Sequence, residues 1–218
     1  FNEEWLAPPI DQSPVAEGHT PFAWDPRTGL SRRHIPGQPE GTYVLTGLTH
    51  TKAGGVAYDP KVNQAGCRAR SLKLAAFQKT LKTPEVFGEP KGDLLIVGWG
   101  STKGAIEEAV QRARQDGLKV SALHLKYLQP MASGIKEIME QFKQVLTAEI
   151  NYSDNLEDEL IDEDNRRYAS LALLLRARYL IDIDCWSNVH GQPIKPAAIE
   201  QMIRQRLKKN VRKKPCSD

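Results

Sequence analysis

Asp93-Leu-Leu-Ile-Val-Gly-Trp-Gly-Ser101 is the stretch that decides the fold. Leu94 to Val97 are apolar without alternation, and Gly98 ends the run. A strand of this kind is buried on both faces, as parallel strands are when helices cover both sides of the sheet. Next, Ser101 or Thr102 can cap a helix to about Gln115, with Ile106, Ala109, Val110 and Ala113 as its inner stripe and Asp116-Gly117 as its close. Lys119 to Leu125 reads as a second strand, and Leu128-Gln-Pro-Met131 as a loop. Ser133 opens a helix over Ile135, Ile138 and Met139, and Lys143 to Ile150 is a third strand. Asn165 begins a helix through Leu171, Leu174 and Leu175, and Tyr179 to Ile183 is a short fourth strand. Lys195-Pro196 opens a last helix over Ile199, Met202, Ile203 and Leu207. Alternation of this kind implies right-handed crossovers and an α/β three-layer sandwich with a mostly parallel sheet.

Upstream the pattern differs. Residues 1–60 are rich in Pro and Gly, and the only strand signal is Tyr43 to Thr46. A stretch this long without elements of its own is not expected to form a core. It reads as an extended arm anchored on another domain or subunit by Trp5, Phe22, Trp24 and Tyr43, or else as a disordered leader. Residues 61–90 read as a basic linking helix that stops before Thr83-Pro84, then a turn-rich lead-in from Glu85 to Gly92. The main domain spans 91–209, and a basic tail follows at 210–218. Phe1-Asn-Glu-Glu-Trp5 lacks an initiator Met and any signal-peptide pattern, so the chain reads as part of a longer polypeptide.

A net charge of +3 is too small to argue for nucleic acid, and no run approaches the roughly 20 apolar residues of a membrane helix. The charge is segregated. Lys61 to Lys82 holds six bases and no acid, Glu149 to Asp164 eight acids and no base, and Arg204 to Lys214 seven bases and no acid. Such blocks are solvated faces, or surfaces that meet a charged partner. Cys67, Cys185 and Cys216 form no C-x-x-C, which argues against a thiolate-held cluster within this chain. An odd cysteine count without a secretion signal points to the cytoplasm.

Two segments could carry chemistry. In Gly98-Trp-Gly-Ser-Thr-Lys-Gly104, backbone N–H groups at a helix start could hold an anion, with Gly98, Gly100, Ser101 and Gly104 as the candidates. The spacing is not that of a dinucleotide or P-loop fingerprint, and His124-Leu-Lys126 stands where a ribose-binding acid would be. Tight turning and strand–helix packing account for the same glycines. In Thr28-Gly-Leu-Ser-Arg-Arg-His-Ile-Pro-Gly37, adjacent arginines beside a rigid turn could pair with a carboxylate or phosphate, or with acids of a neighbouring subunit. The histidines show no metal-ligand spacing, and no G-x-S-x-G elbow is present.

Several motifs, in order, carry a family resemblance: Trp24 to Gly37, Val44-Leu-Thr-Gly-Leu-Thr-His50, Gly55-Val-Ala-Tyr-Asp-Pro60, Val97 to Gly104, Leu123 to Pro130, Glu149-Ile-Asn-Tyr152 and Val189-His-Gly-Gln-Pro193. The chain resembles the C-terminal part of the α subunit of 2-oxoacid:ferredoxin oxidoreductases, most nearly the 2-oxoglutarate type. The resemblance implies a domain like the C-terminal domain of transketolase. It also implies a complex that decarboxylates a 2-oxoacid on thiamine diphosphate, passes electrons through a [4Fe-4S] cluster to ferredoxin, and forms an acyl-CoA. Thiamine diphosphate, Mg, the cluster and CoA would then belong to the whole complex, with none held within this chain. Its partners would be the β subunit, the rest of the α subunit and ferredoxin. Arg33 matches the family arginine and would be the best local anion contact near substrate or CoA, with Asp59 a weaker candidate near it. Arg32 replaces the family's Pro, Thr49 replaces its acid before His50, and the tail matches nothing in the family. The alternatives on the residues are an isolated nucleotide-binding module and a protein-interaction module.

Overall fold

The computed structural model describes residues 13–211, with side chains to Lys208. Trp5 and residues 212–218 of the basic tail lie outside the described residues. The chain divides into two compact units, Phe1–Thr80 and Leu81–Asp218.

In the second unit five strands form one sheet. They are β1 (Val86–Phe87), β2 (Leu94–Trp99), β3 (Val120–Leu125), β4 (Val145–Glu149) and β5 (Ile183–Ser187), in the order β1-β3-β2-β4-β5. All pairings are parallel except β1 with β3, where Val86 faces Leu123. The alternating faces of β2 explain its unbroken apolar run. Leu94 and Ile96 meet Ile106 and Val110 of α2 (Lys103–Gln115) and Ile199 and Ile203 of α5 (Pro196–Val211). Leu95 and Val97 meet Ile135 of α3 (Ile135–Met139) and Leu171 and Leu175 of α4 (Ser170–Tyr179). Each such side chain contributes about 1.5–3 kcal/mol when fully buried. The three-layer α/β sandwich with a mostly parallel sheet is the architecture read from the sequence.

Several details differ from the expectation. Val86–Phe87 is a strand where only a turn-rich lead-in was expected. No side chain of Ser101 or Thr102 caps α2; a 3₁₀ turn, Gly100–Thr102, leads into it, and the Thr102 hydroxyl donates to Trp99 O at 2.9 Å. The helix expected from Asn165 begins at Ser170, and Leu174 is exposed on it. The strand expected at Tyr179 to Ile183 begins only at Ile183. Tyr179 closes α4, and Leu180, at φ 55°, turns the chain out of the helix. Charge hides this strand. Burial raises the Asp184 carboxyl, but Arg206, the Cys185 N–H and Arg166 together hold it below the usual carboxylate range. Arg166 lies 2.8 Å from Asp184, and its guanidinium and that of Arg176 lie over the Tyr168 ring at 4.6 and 4.5 Å.

The acidic stretch after β4 is a closed loop. Asp154, buried, accepts from the Arg167 backbone N–H at 2.9 Å and from its guanidinium in bidentate fashion, while Asp154 N–H donates to Arg167 O at 3.0 Å. The acids at 157–164 sit beyond this clasp.

The first unit contains α1 (Pro60–Gln78), capped by Asp59, whose carboxylate accepts the N–H groups of Lys61 and Val62. No strand forms at Tyr43 to Thr46. Val44 and Leu45 are exposed there, and Tyr43 packs edge-on against Phe22 and His34. Phe22 also stacks on His50, with centroids 4.1 Å apart. Ala69 is the one buried apolar side chain besides Pro21 among the described residues of this unit.

Candidate functional site

The arginine loop of the first unit is held by its own polar groups. Asp25 accepts the N–H groups of Arg27 and Thr28, which hold its carboxyl below the usual range, Thr28 contributing most. Gly29, at φ +66°, then meets the backbone of α1: a Cβ there would lie 2.0 Å from Ala69 O. Only glycine tolerates both the conformation and the approach. Ser31 donates to Pro21 O at 2.6 Å, and Arg32 turns back to donate to Pro14 O at 3.0 Å. Arg33 is left exposed. It lines a cleft of 220 Å³ together with Arg70 and Lys73 of α1 and with Trp24 and His50. No acid lines it.

His50 is fully engaged. Gly54 O can only accept, so Nδ1 at 2.9 Å carries the proton, and in the neutral ring Nε2 accepts from the Thr46 hydroxyl at 3.0 Å. Thr49, in the place of the family acid, donates to Asn63 at 3.0 Å. Asp59 is occupied as the cap of α1 and is not among the residues lining the Arg33 cleft. The structure therefore groups Arg33 with Arg70 and Lys73 and leaves Asp59 apart. The signal for those two cations was present as Gly66, Ala69, Arg70 and Lys73, one helical face on which small residues admit the loop and cations flank it.

In the second unit the glycine turn follows β2. A Cβ on Gly98 would lie 2.2 Å from Ile106 Cδ1 and 2.8 Å from Thr102 Oγ1, so this glycine serves strand–helix contact. Gly100 supplies φ +61°, and the space around Gly104 is open. Ser101 lines a cleft of 460 Å³ with Ile150, Asn188 and Val189. This cleft lies beyond the carboxyl ends of β2 and β4, whose following connections diverge, the position at which open α/β sheets bind ligands. No charged side chain lines it.

Glu149, the last residue of β4, is entirely buried. Its Oε1 accepts from Thr147 Oγ1 (2.7 Å) and Ala172 N–H (3.0 Å), and its Oε2 from Leu171 N–H (2.8 Å) and Asn151 Nδ2 (3.1 Å). Two orphan donors of α4 are thus satisfied by an acid from another element, where the helix dipole favours negative charge. In the sequence Glu149 reads only as the first of a run of acids. Among the described residues no three His, Cys, Asp or Glu side chains converge as metal ligands, and no helix is long and apolar enough to cross a membrane.

Residues 92–177 match the family described as pyruvate:ferredoxin oxidoreductase core domain II. The 2-oxoglutarate oxidoreductase subunit KorA of Mycobacterium tuberculosis is 29% identical over 218 residues, covering 94% of this chain and 30% of that protein. The α subunit of 2-oxoacid:ferredoxin oxidoreductase 1 of Aeropyrum pernix is 35% identical over 141 residues, 61% of this chain and 22% of that one. Among solved structures, 2-oxoglutarate:ferredoxin oxidoreductase from Magnetococcus marinus, with 2-oxoglutarate, coenzyme A and succinyl-CoA bound, superposes with a TM-score of 0.64 at 28% identity, over 83% of this chain and 29% of that one. The chain spans about 30% of the length of the Mycobacterium relative. In sequence and in fold, the chain is similar to the α subunits of the 2-oxoacid:ferredoxin oxidoreductases.

Proposed function

We propose that this chain supplies the C-terminal part of the α subunit of a thiamine-dependent 2-oxoacid:ferredoxin oxidoreductase, with 2-oxoglutarate as the acid. The complex carries out oxidative decarboxylation to an acyl-CoA with reduction of ferredoxin, in the cytoplasm. The part played by this chain is architectural: it packs the α subunit against the β subunit and shapes the route by which CoA or the 2-oxoacid reaches the reaction centre. Arg33, with Arg70 and Lys73, offers the anionic end of such a ligand a cationic contact.

One observation carries the architectural reading. The residues that end β2 and β4 serve structural contacts: Gly98 lies under Ile106, Glu149 has all its donors from the protein, and no charged side chain lines the cleft beside them. The chain's residues also do not fit the iron–sulfur group of the complex. Three cysteines are fewer than the four thiolates such a cluster takes, and two of them, Cys67 exposed and Cys185 buried, lie in different units. Thiamine diphosphate and the cluster supply decarboxylation and electron transfer from the rest of the complex. What this chain contributes is position and charge.

Calorimetry tests the assignment. The 218-residue chain alone gives no binding heat with thiamine diphosphate at millimolar concentration; micromolar affinity would overturn the reading. In the complete oxidoreductase, Arg33→Ala raises KM for CoA or the 2-oxoacid and leaves kcat nearly unchanged. A fall in kcat at constant KM would place Arg33 in the chemical step instead.

A further inference from the structure

A second cleft, of 620 Å³, opens in the unit that begins at Leu81, where β3 ends rather than where β2 and β4 end. It is a product of β1. Because that strand runs antiparallel to β3, the residues before it continue past the carboxyl end of β3, and Leu81 to Glu85 become a wall. The wall is held at two points. Ladder pairing holds Val86 and Phe87, which follow it, to β3. In its middle Thr83 presses on Gly134, where a Cβ would lie 2.6 Å from Thr83 Cγ2 and where φ is +85°.

The lining has two characters. Val86, Leu125 and Ile135 give apolar surface, and the rings of Phe87 and Tyr127 stand half-open to solvent beside it. The charged groups are Lys82, Lys103 and Lys126, with Glu85 and Glu107. Glu107 lies 3.8 Å from Lys103 on the same helix face and is matched by it. Lys82 and Lys126 have no acidic partner among the described residues, so they outnumber Glu85. His124 completes the cleft. Its Nδ1 is buried without a hydrogen-bond partner, which leaves Nε2 as the nitrogen available to a ligand. Burial, with Lys103 nearby, lowers the imidazole pKa from its ordinary value and so favours the uncharged ring.

We propose that this cleft binds a small organic anion that carries a flat apolar body, the body lying against Phe87, Tyr127 and Leu125 and the phosphate or carboxylate meeting Lys126, Lys82 and His124. A volume of 620 Å³ is the size of a small-molecule site. The combination of an apolar floor with a few convergent polar groups is how such sites fix orientation. The inference is independent of the oxidoreductase reading, since it concerns neither Arg33 nor any group of the complex.

The probe is 1-naphthyl phosphate, titrated into the 218-residue chain and followed by amide and side-chain NMR shifts. Saturable shifts are expected at Phe87, Lys103, His124, Lys126 and Tyr127. Inorganic phosphate and 1-naphthalenemethanol, each lacking half of the ligand, should bind at least about tenfold more weakly, as should the Lys82→Ala/Lys126→Ala variant, a loss of about one charge-assisted contact. 1-Naphthoate in place of the phosphate distinguishes the two anions, and either binding at the same residues supports the site. Phe87→Ala is a second variant, since its folding is read from the same spectrum; it should weaken naphthyl phosphate and leave inorganic phosphate unaffected. Shifts scattered over the surface, equal binding by either half-ligand, or undiminished affinity in the double-lysine variant would overturn the proposal.

Discussion

Glu149→Gln keeps the size of the side chain that caps α4 and removes its charge. In the wild type each carboxylate oxygen accepts one backbone N–H of the helix, Ala172 on Oε1 and Leu171 on Oε2. An amide has one acceptor oxygen, so whichever way it turns, its NH₂ group opposes one of these buried N–H groups. Leaving one such donor unpaired costs about 1–3 kcal/mol, and losing the anion at a helix N-terminus costs about 0.3–2 kcal/mol more. Together they predict a loss of about 3 kcal/mol, a large part of a typical domain's 5–15 kcal/mol. Glu149→Ala strands both N–H groups and should lose more, about 4 kcal/mol. The assay is urea unfolding followed by far-ultraviolet circular dichroism. With a slope of about 2 kcal/mol/M, the Gln variant's midpoint should fall by about 1.5 M with the slope unchanged. Glu140→Gln, an exposed residue paired with Lys136 at 3.8 Å, is the control and should shift by less than about 0.5 kcal/mol. A Glu149→Gln midpoint as close to wild type as that control would refute the capping argument.

Gly29→Ala should unfold the arginine loop, because the added methyl meets backbone at Ala69 O and Lys73 N and the residue keeps a positive φ. A loss above about 2 kcal/mol, read from limited proteolysis of the first unit, checks it. Gly98→Ala drives a methyl into Ile106 and Thr102 and should cost about 1–3 kcal/mol in thermal unfolding; no change would mean that α2 shifts freely. Asp154 has its carboxyl lowered below the ordinary value of 3.8 by Arg167. The unfolded chain therefore binds the proton first, and the stabilisation is full above that value and lost as pH falls through the folded-state pKa. Asp154→Asn should be less stable than wild type at pH about 6 and should lose less between pH about 5 and 2; equal losses would show that the clasp with Arg167 is not what acid breaks.

Some of this fold could be read from residues alone, and the reason is burial. β2 is covered on both faces, so its apolar run is unbroken, and the stripe Ile106, Ala109, Val110 and Ala113 is buried as its spacing implies. β5 resisted the same reading because Asp182 precedes it and Asp184 interrupts it, and their partners Arg176, Arg166 and Arg206 come from neighbouring helices and a loop. β1 is two residues between Pro84 and Gly88, too short for any period. The site follows the same division. Arg33 stood out beside its rigid turn, but Arg70 and Lys73 join it only because Gly29 lets the loop approach α1. Glu149 could not be told from the acids after it, since its role depends on backbone some twenty residues downstream.

The clasp between Asp154 and Arg167 has a consequence for how this chain tolerates change in length. Residues 155–165 leave and rejoin the domain at Asp154 and Arg167, which hold each other by backbone and side chain, with Arg166 beside them tied to Asp184. Segment length beyond such a gate enters stability only through loop closure, about 0.6 kcal/mol for each doubling. Insertions near Leu160, which is 86% exposed, therefore leave the sheet's register and both helical layers as they are. This loop is where a reporter peptide can be placed, and where relatives of this domain are free to diverge in length while keeping the same three layers.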